Sequence, residues 1–340
     1  MTRALDPRSF TSLFRLYDLP AWSQTYARAR ELGVELRPLA YRDLDGAARL
    51  LERHTRLPAL VLPTMLAREP GTAAVAVRAG EVVGLGLYDL RSPGTVGPIV
   101  HGDDELGRGL APVLVEHVLH SARWRGYHYA VDADLAPASY AHLYARACMS
   151  LVELDPRASV DARDVEGMPW GDIYIPTSAR VASLMPEVIP YRDGEGEVRV
   201  RPARASEYDL VTSWVSGEFG RGWASELKRG FTRTPISTII AVLESSALAP
   251  RDRLLGFIAY DCAGLAMGST IAVHPKVGLW QHRLPIVVAL VACEVREQMA
   301  RGCEYLIGSG ITRRKSILAI DGWTIPGSYP GPFAHVINYK

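Results

Sequence analysis

The stretch Val96-Gly97-Pro98-Ile99-Val100-His101-Gly102-Asp103-Asp104-Glu105-Leu106-Gly107-Arg108-Gly109-Leu110-Ala111 decides how the rest of this chain is read. A β-prone run ends near His101, a turn holds Gly107 and Gly109, and an apolar-striped helix is expected at once over residues 109–125. Glycines at such a turn let the backbone curl, so that successive N–H groups point into one small space. With a helix dipole behind them, these groups can hold a pyrophosphate. An ordinary strand-to-helix turn is the competing reading.

Working outward, Gly126 closes the helix as a C-terminal cap would, and residues 127–131 read as the next strand. Upstream, runs 72–78 and 82–89 flank Ala79-Gly80-Glu81 as a tight hairpin. Before them, a strand at 34–39 leads into a helix whose Leu44, Ala47, Ala48 and Leu51 share one face. The plan then returns. Arg201-Pro202 matches Arg37-Pro38, a helix is expected over 206–215, and β runs follow at 237–243, 254–261 and 269–274. A long helix over 284–301 ends at Gly302, and a strand follows at 304–308. Each half therefore reads β–α–β–β–β–α–β. Antiparallel hairpins with one helical crossover predict a mixed sheet, so the fold class is α/β of the α+β mixed-sheet kind, in two copies. The expected boundaries are an N-terminal helical extension over 1–33, with 22–32 as its helix, and a first domain over 34–178. A linker with Pro186, Pro190 and Asp193 follows over 179–196, and a second domain over 197–340.

The chain has 340 residues, enough for two ordinary domains, and its 48% hydrophobic and 22% charged content is that of a core-forming protein. A net charge of +1 excludes a strongly polybasic protein that coats nucleic acid. Cys148, Cys262, Cys293 and Cys303 form no Cys-x-x-Cys pair, which argues against a disulfide framework or a zinc site. No signal-peptide pattern opens the sequence, and its longest apolar run is about ten residues against the roughly 20 that span a bilayer. A cytoplasmic protein with no membrane partner is expected.

Strand order and loop together resemble the GNAT-type N-acetyltransferase superfamily, in the tandem arrangement of the mycothiol-synthase type. The family's loop reads Arg/Gln-x-x-Gly-x-Gly/Ala, and Asp104-Glu105-Leu106-Gly107-Arg108-Gly109 is its counterpart. The resemblance implies that the backbone of Leu106, Gly107, Arg108, Gly109, Leu110 and Ala111 binds the pyrophosphate of acetyl-CoA or another acyl-CoA as co-substrate. It implies that Ile99, Val100 and His101 line the pantetheine and thioester. Asp103, Asp104 and Glu105 depart from the family, with carboxylates where a basic or amide side chain is usual. The segment 139–149 resembles the family helix Ala-x-x-Leu-Tyr-x-x-x-Gly-Phe, with Cys148-Met149 in place of Gly-Phe. Tyr144 then falls on the tyrosine that protonates the departing CoA thiolate, and a tyrosine packed between helix and sheet is the alternative. The second copy resembles the same fold without its cofactor loop. Its Gly-x-Gly is missing, Pro285 is expected to open the helix, and Ser316 falls where the tyrosine belongs, counted back from a tail over 321–333 that resembles a GNAT ending.

A general base is harder to place. His101 ends the fourth strand, and an imidazole suits the task, although a surface loop histidine is the competing reading. Asp132 and Asp134 close the fifth strand and could hold a cationic acceptor, or simply be solvated. His117 and His120 could share a helical face, yet no metal set is expected from the spacing. Phe219-Gly220-Arg221-Gly222-Trp223 reads as an acceptor lid or as a plain inter-helix turn, and the cluster Trp124, Arg125, Tyr127, His128 reads as packing. Together these features predict an acyl-CoA-dependent N-acyltransferase acting on an amine of a small molecule. Two alternatives stand: aminoacyl-tRNA-dependent acyl transfer, the one case with a nucleic-acid partner, and a non-catalytic GNAT-like binding protein. The oligomeric state is left open.

Overall fold

A computed structural model describes residues 12–68, 71–133, 135–144, 146–150, 172–184, 186, 188–191, 196–309, 322–325 and 328. The chain divides into two compact units, Pro7–Glu153 and one that contains Leu154–Lys340.

In the first unit, β1 (Ser12–Arg15) and α1 (Trp22–Glu31) precede β2 (Glu35–Pro38), α2 (Leu44–His54), α3 (Val61–Arg68), β3 (Ala73–Arg78), β4 (Glu81–Tyr88) and β5 (Thr95–His101). Then come α4 (Glu105–Trp124), β6 (Tyr129–Asp132) and β7 (Cys148–Ser150). The seven strands form one sheet in the order β2-β3-β4-β5-β6-β1-β7. All neighbours are antiparallel except β5 and β6, whose connection is the α4 crossover. The β3–β4 hairpin turns on Ala79 (φ 50°) and Gly80 (φ 86°), two left-handed residues as a tight primed turn requires.

Alternation along β3 sends Val75 to one face, against Leu51 of α2 and Leu62 of α3. Ala76 goes to the other face, against Ala29 of α1 and Leu110 and Leu114 of α4. Gly84 and Gly86 explain how closely α4 lies on the sheet. A Cβ on Gly84 would stand 2.7 Å from Leu110 and Leu114 side-chain carbons, and one on Gly86 would stand 2.5 Å from Val118.

The second unit contains β8 (Asp172–Pro176), α5 (Ala179–Ser183), β9 (Ile189–Tyr191), β10 (Gly196–Pro202), α6 (Tyr208–Glu218), α7 (Arg221–Phe231) and β11 (Thr238–Leu243). It continues with β12 (Leu254–Tyr260), β13 (Met267–Val273), α8 (Trp280–Ala300), β14 (Tyr305–Ser309) and β15 (Trp323–Thr324). The order is β15-β8-β14-β13-β12-β11-β10-β9, again with one parallel pair, β13 with β14. α8 packs its Leu290 and Val291 on the face of Leu255 and Ile258, while α6 and α7 cover the opposite face through Trp214 and Leu227. Among the described residues no helix is long and apolar enough to cross a membrane.

The mixed-sheet class holds in both units, but several boundaries differ from expectation. Ser12–Arg15, expected inside a helical extension, is a strand between β6 and β7. Asp172–Pro176, expected in the first domain, pairs with β14 and β15 of the second sheet. The segment 179–196, expected as linker, carries α5 and β9 of that sheet. The first two share a reason: each sheet takes a strand from before its repeat to cover the outer edge of β6 or β14, whose hydrogen bonds would otherwise be unmet, while β9 does the same for β10. Helix starts also move. α4 begins at Glu105, four residues early, and α8 at Trp280, so Pro285 lies inside it and does not open it. The described residues of 139–149 form no α-helix. They hold two 3-10 turns, Pro137–Ser139 and Ala141–Leu143, and then the edge strand β7. Of the segment 219–223, only Phe219 and Gly220 (φ 103°) form the turn between α6 and α7, and Arg221, Gly222 and Trp223 already open α7, with Phe219 stacked on Trp223 at 5.8 Å. Ser316 lies outside the described residues.

Candidate active site at the β5–β6 fork

β5 and β6 run parallel but pair only at Thr95↔Val131 and Val96↔Asp132. The last backbone bond across them is Ala133 N–H to Val96 O, 2.9 Å. β5 also bulges here: Gly86 faces Ile99 and Tyr88 faces Val96, so Gly97 and Pro98 both oppose Leu87. Gly97 (φ 125°) is required at the fork, because a Cβ there would stand 1.9 Å from Ala133 O.

A chain of hydroxyls ends at this fork. Asp132 is buried at the end of β6; its Oδ1 accepts from Leu135 N–H at 2.9 Å and its Oδ2 from Tyr140 O–H at 2.7 Å. Ser12 Oγ–H, on the neighbouring strand β1, donates to Tyr140 Oη at 3.4 Å. Ser12 Oγ also lies 3.0 Å from the hydroxyl of Tyr144, whose side chain is 40% exposed. Tyr140 and Tyr144 rings lie 5.9 Å apart. Cys148 of β7 touches the same group. Burial pushes its thiol up to about 12, against hydrogen bonds to Ser12 and Tyr144, so it stays protonated and is no nucleophile. Tyr144 and Asp132, 12 residues apart, are thus joined through two residues that sequence reasoning did not select. Tyr140 carried a signal, being one residue into the tyrosine motif; Ser12 carried none, because its strand was not expected.

A second buried group locks this segment to the helices. Glu116 of α4 is fully buried. Its Oε2 accepts from Thr25 Oγ1–H at 2.7 Å and from the Arg28 guanidinium, and its Oε1 meets His142 Nε2 at 2.6 Å. Burial alone would raise this carboxyl, but the hydrogen bonds from His142, Arg28 and Thr25 outweigh it and hold it at about 2. α1, α4 and the turn before Tyr144 are tied through one carboxylate.

The loop behaves differently from the expected cradle. Because α4 starts at Glu105, Leu106, Gly107, Arg108, Gly109, Leu110 and Ala111 all stand in its first two turns. Asp104 is the N-cap, and its Oδ1 accepts from Gly107 N–H at 2.7 Å; Arg108 N–H already donates to Asp104 O at 3.1 Å. Gly107 is a glycine for a local reason, since its Cβ would stand 1.8 Å from Gly102 O. Leu110, Ile99 and Leu106 pack with α1 and β2, while Val100 points to the opposite face. Arg108 and Gly109 are exposed, and Ala111 is buried. His101 ends β5 with Nδ1 2.7 Å from Gly102 O. The loop as it stands does not fit a pyrophosphate: the Gly107 donor is taken and a carboxylate sits on the helix end. Asp134 lies outside the described residues.

No protein-family model matches this chain, and no curated protein matches it. Among solved structures, it is 12% identical, at a TM-score of 0.37, to a structure titled for a GCN5-related glucosamine N-acetyltransferase region in a fungal multi-domain GH3 beta-N-acetylglucosaminidase. That alignment spans 86% of this chain and 37% of the other. A GCN5-related N-acetyltransferase from Kribbella flavida is 14% identical over 86% of this chain and 69% of its own, at a TM-score of 0.28. A tandem GNAT protein from the clavulanic acid biosynthesis pathway is 14% identical over 86% of this chain and 95% of its own, at a TM-score of 0.31. Two of these three structures are titled as GCN5-related N-acetyltransferases and the third as a tandem GNAT protein.

Proposed function

We propose that the first unit is a GNAT-type N-acyltransferase, moving an acyl group, acetyl in the simplest case, from acyl-CoA to an amine of a small molecule. The observation that carries this reading is the Tyr144–Ser12–Tyr140–Asp132 chain at the β5–β6 fork. The acyl thioester supplies an activated carbonyl and a thiolate leaving group there. Tyr144 holds a proton at the exposed end of the chain, where a departing thiolate needs one. Asp132 takes the Tyr140 proton and Tyr140 takes that of Ser12, so at rest Tyr144 O–H donates to Ser12 Oγ at 3.0 Å, and it turns to the thiolate as that charge forms. His101 is five residues beyond Val96, about 16 Å along β5 from the fork, so it can take the amine's proton only through a chain of waters.

The capped loop favours a second reading, a GNAT-like protein that binds a ligand without transferring an acyl group. Aminoacyl-tRNA-dependent transfer also needs no CoA loop, but a net charge of +1 offers little to phosphates. Acetyl-CoA at about 100 times its dissociation constant adds roughly 2.7 kcal/mol to the unit that binds it, a melting shift of a few degrees. Titration calorimetry and thermal melting with acetyl-CoA, followed by a thiol-release assay over a panel of small amines, separate the readings. No binding and no thiol release sink the acyltransferase. A salt-dependent RNA mobility shift without any CoA effect favours the tRNA reading.

A further inference from the structure

The start of α4 and the β5–β6 fork make opposite offers to an acyl-CoA. At the helix start, both glycines of Gly107-Arg108-Gly109 are used by the protein itself. A Cβ on Gly107 would stand 1.8 Å from Gly102 O, and one on Gly109 would stand 3.2 Å from the Leu32 side chain. The close approach that each glycine permits is thus made by Gly102 and Leu32, and none is left for a ligand. Gly107 N–H is already taken by Asp104 Oδ1 at 2.7 Å. Asp103, Asp104 and Glu105 are all exposed there. Arg108, the only lysine or arginine between residues 101 and 111, donates from its Nη1 to Asp103 O at 2.9 Å. Three carboxylates against one guanidinium repel a phosphate.

The fork is open where the helix start is closed. β4 pairs with β5 from Val96 to His101, whereas β6 pairs with it only as far as Val96. Beyond the bond from Ala133 N–H to Val96 O, no strand among the described residues takes the β6 side of residues 97–101. Five residues at about 3.3 Å each give an edge of roughly 16 Å. Pro98, Ile99 and His101 are partly exposed along it, and Tyr144 is 40% exposed at the fork. A neutral, extended chain that carries amides can lie on such an edge as an added strand. The pantetheine arm of a thioester is a chain of that kind.

We infer that this unit recognises its donor by the acyl-pantetheine end, so that a thioester without a nucleotide serves it at least as well as acyl-CoA does. The inference rests on the acyl-transfer reading of the fork and concerns only which part of the donor is held. The step balances without the nucleotide. The amine loses one proton to water before it attacks, and its N–C bond forms as the C–S bond breaks. The sulfur leaves as a thiol with the Tyr144 proton, and the second amine proton replaces that one through solvent.

The probes are pantetheine and CoA for binding, and S-acetylpantetheine and acetyl-CoA for turnover, all with the whole chain. Calorimetry needs no acceptor, and pantetheine is expected to bind at least as tightly as CoA. A single charge-assisted bond to a phosphate would favour CoA by about tenfold or more. In thiol release over a panel of small amines, S-acetylpantetheine is expected to show a kcat/KM no lower than that of acetyl-CoA. Raising salt from about 0.05 M to about 0.5 M should increase acetyl-CoA turnover and leave S-acetylpantetheine unchanged. The double variant Asp103→Asn, Glu105→Gln keeps the Asp104 cap and removes two charges. It should raise kcat/KM for acetyl-CoA about fivefold and not that for S-acetylpantetheine. A clear preference for CoA or acetyl-CoA, or an acetyl-CoA rate that falls in the double variant or at high salt, overturns the inference and leaves acyl transfer standing. No thiol release from either donor sinks acyl transfer, and the inference with it.

Discussion

The two units keep the same joints and differ at the fork. In each, an arginine of the first repeat strand pairs with a carboxylate six residues on: Arg37 with Asp43 at 2.7 Å and Arg201 with Glu207 at 2.6 Å. β4 and β12 each end in a tyrosine followed by an aspartate, left-handed at φ 58° in Asp89 and φ 55° in Asp261. Asp89 accepts from Gly94 N–H, and Asp261 from Ala266 N–H. Arg125 and Arg301, at the C-caps of α4 and α8, lie over Tyr88 and Tyr260 at 5.7 and 5.1 Å. Both bulged strands present two residues where their partners present one. At the fork itself the first unit has Asp132 and its hydroxyl chain, where the second has Gly308, paired with Gly268 beneath the buried Glu294. What holds the strands in place is duplicated. What could do chemistry there is not.

Removing the proton donor breaks that contrast most. Tyr144→Phe is expected to lower thiol release by about 10²-fold or more, by the usual worth of a positioned proton donor, with the melting temperature nearly unchanged. Ser12→Ala, one step inside, is expected to cost about tenfold. A Tyr144→Phe enzyme of full activity would reduce the tyrosine to packing. The buried carboxylates sharpen the comparison next. Glu116→Leu strands Arg28 and His142 and is expected to cost about 3 kcal/mol in urea unfolding. Glu294→Leu removes a carboxyl whose Oε1 has no partner among the described residues, and is expected to be neutral or stabilising. Equal losses in both variants would contradict the assigned roles.

How much of this the sequence carried follows from the same pairs. Periodicity, Gly126 and Gly302 at helix ends, and the repeated Arg-Pro showed two copies of one mixed-sheet plan. Ser12–Arg15 and Cys148–Ser150 escaped because, unlike the equally short β2 and β6, they have no counterpart in the repeat to mark them, and both are held by partners far along the chain. Tyr144 and Asp132 were singled out separately, yet their connection through Ser12 exists only once β1 inserts beside β6. The loop was misjudged because local capping by Asp104 extends the helix over glycines that a motif assigns to a turn.

Acid should move the two units in opposite directions. In the first, burial lowers His117 to about 4 from an ordinary 6.5, and lowers His120 too. Between those values the unfolded chain binds more protons, so stability falls as pH drops from about 6.5 towards 4, on the order of 2–3 kcal/mol in full. Glu116, held at about 2, keeps its contribution down to about pH 4.5 and loses it between there and about pH 2. In the second unit burial pushes Glu294 well above the carboxylate range, and raises Asp261 and Glu226. There the folded state binds more protons, so stability rises as pH drops towards about 4.5. Hydrogen exchange of the two sheets at pH 7 and pH 5 should show protection lost from the first and gained in the second. Parallel behaviour would mean that one of the two buried sets does not titrate as its surroundings dictate.

The smallest expected effect concerns the helix start that the two units do not share. α4 is capped by Asp104, whereas Leu279 before α8 makes no side-chain cap. Asparagine caps a helix about as well as aspartate, so Asp104→Asn preserves the bond to Gly107 N–H and the stability of α4. It removes one negative charge from the place where a pyrophosphate would sit, worth about 1 kcal/mol at an exposed, screened position. If the first unit takes acyl-CoA, this variant should bind it about fivefold more tightly, with the gain shrinking as salt is raised. Asp104→Ala, which also frees the Gly107 donor, should gain as much or more affinity while losing about 1 kcal/mol of stability. Acetyl-CoA binding indifferent to both changes would place any acyl donor away from this helix end, and would leave the fork without its expected phosphate anchor.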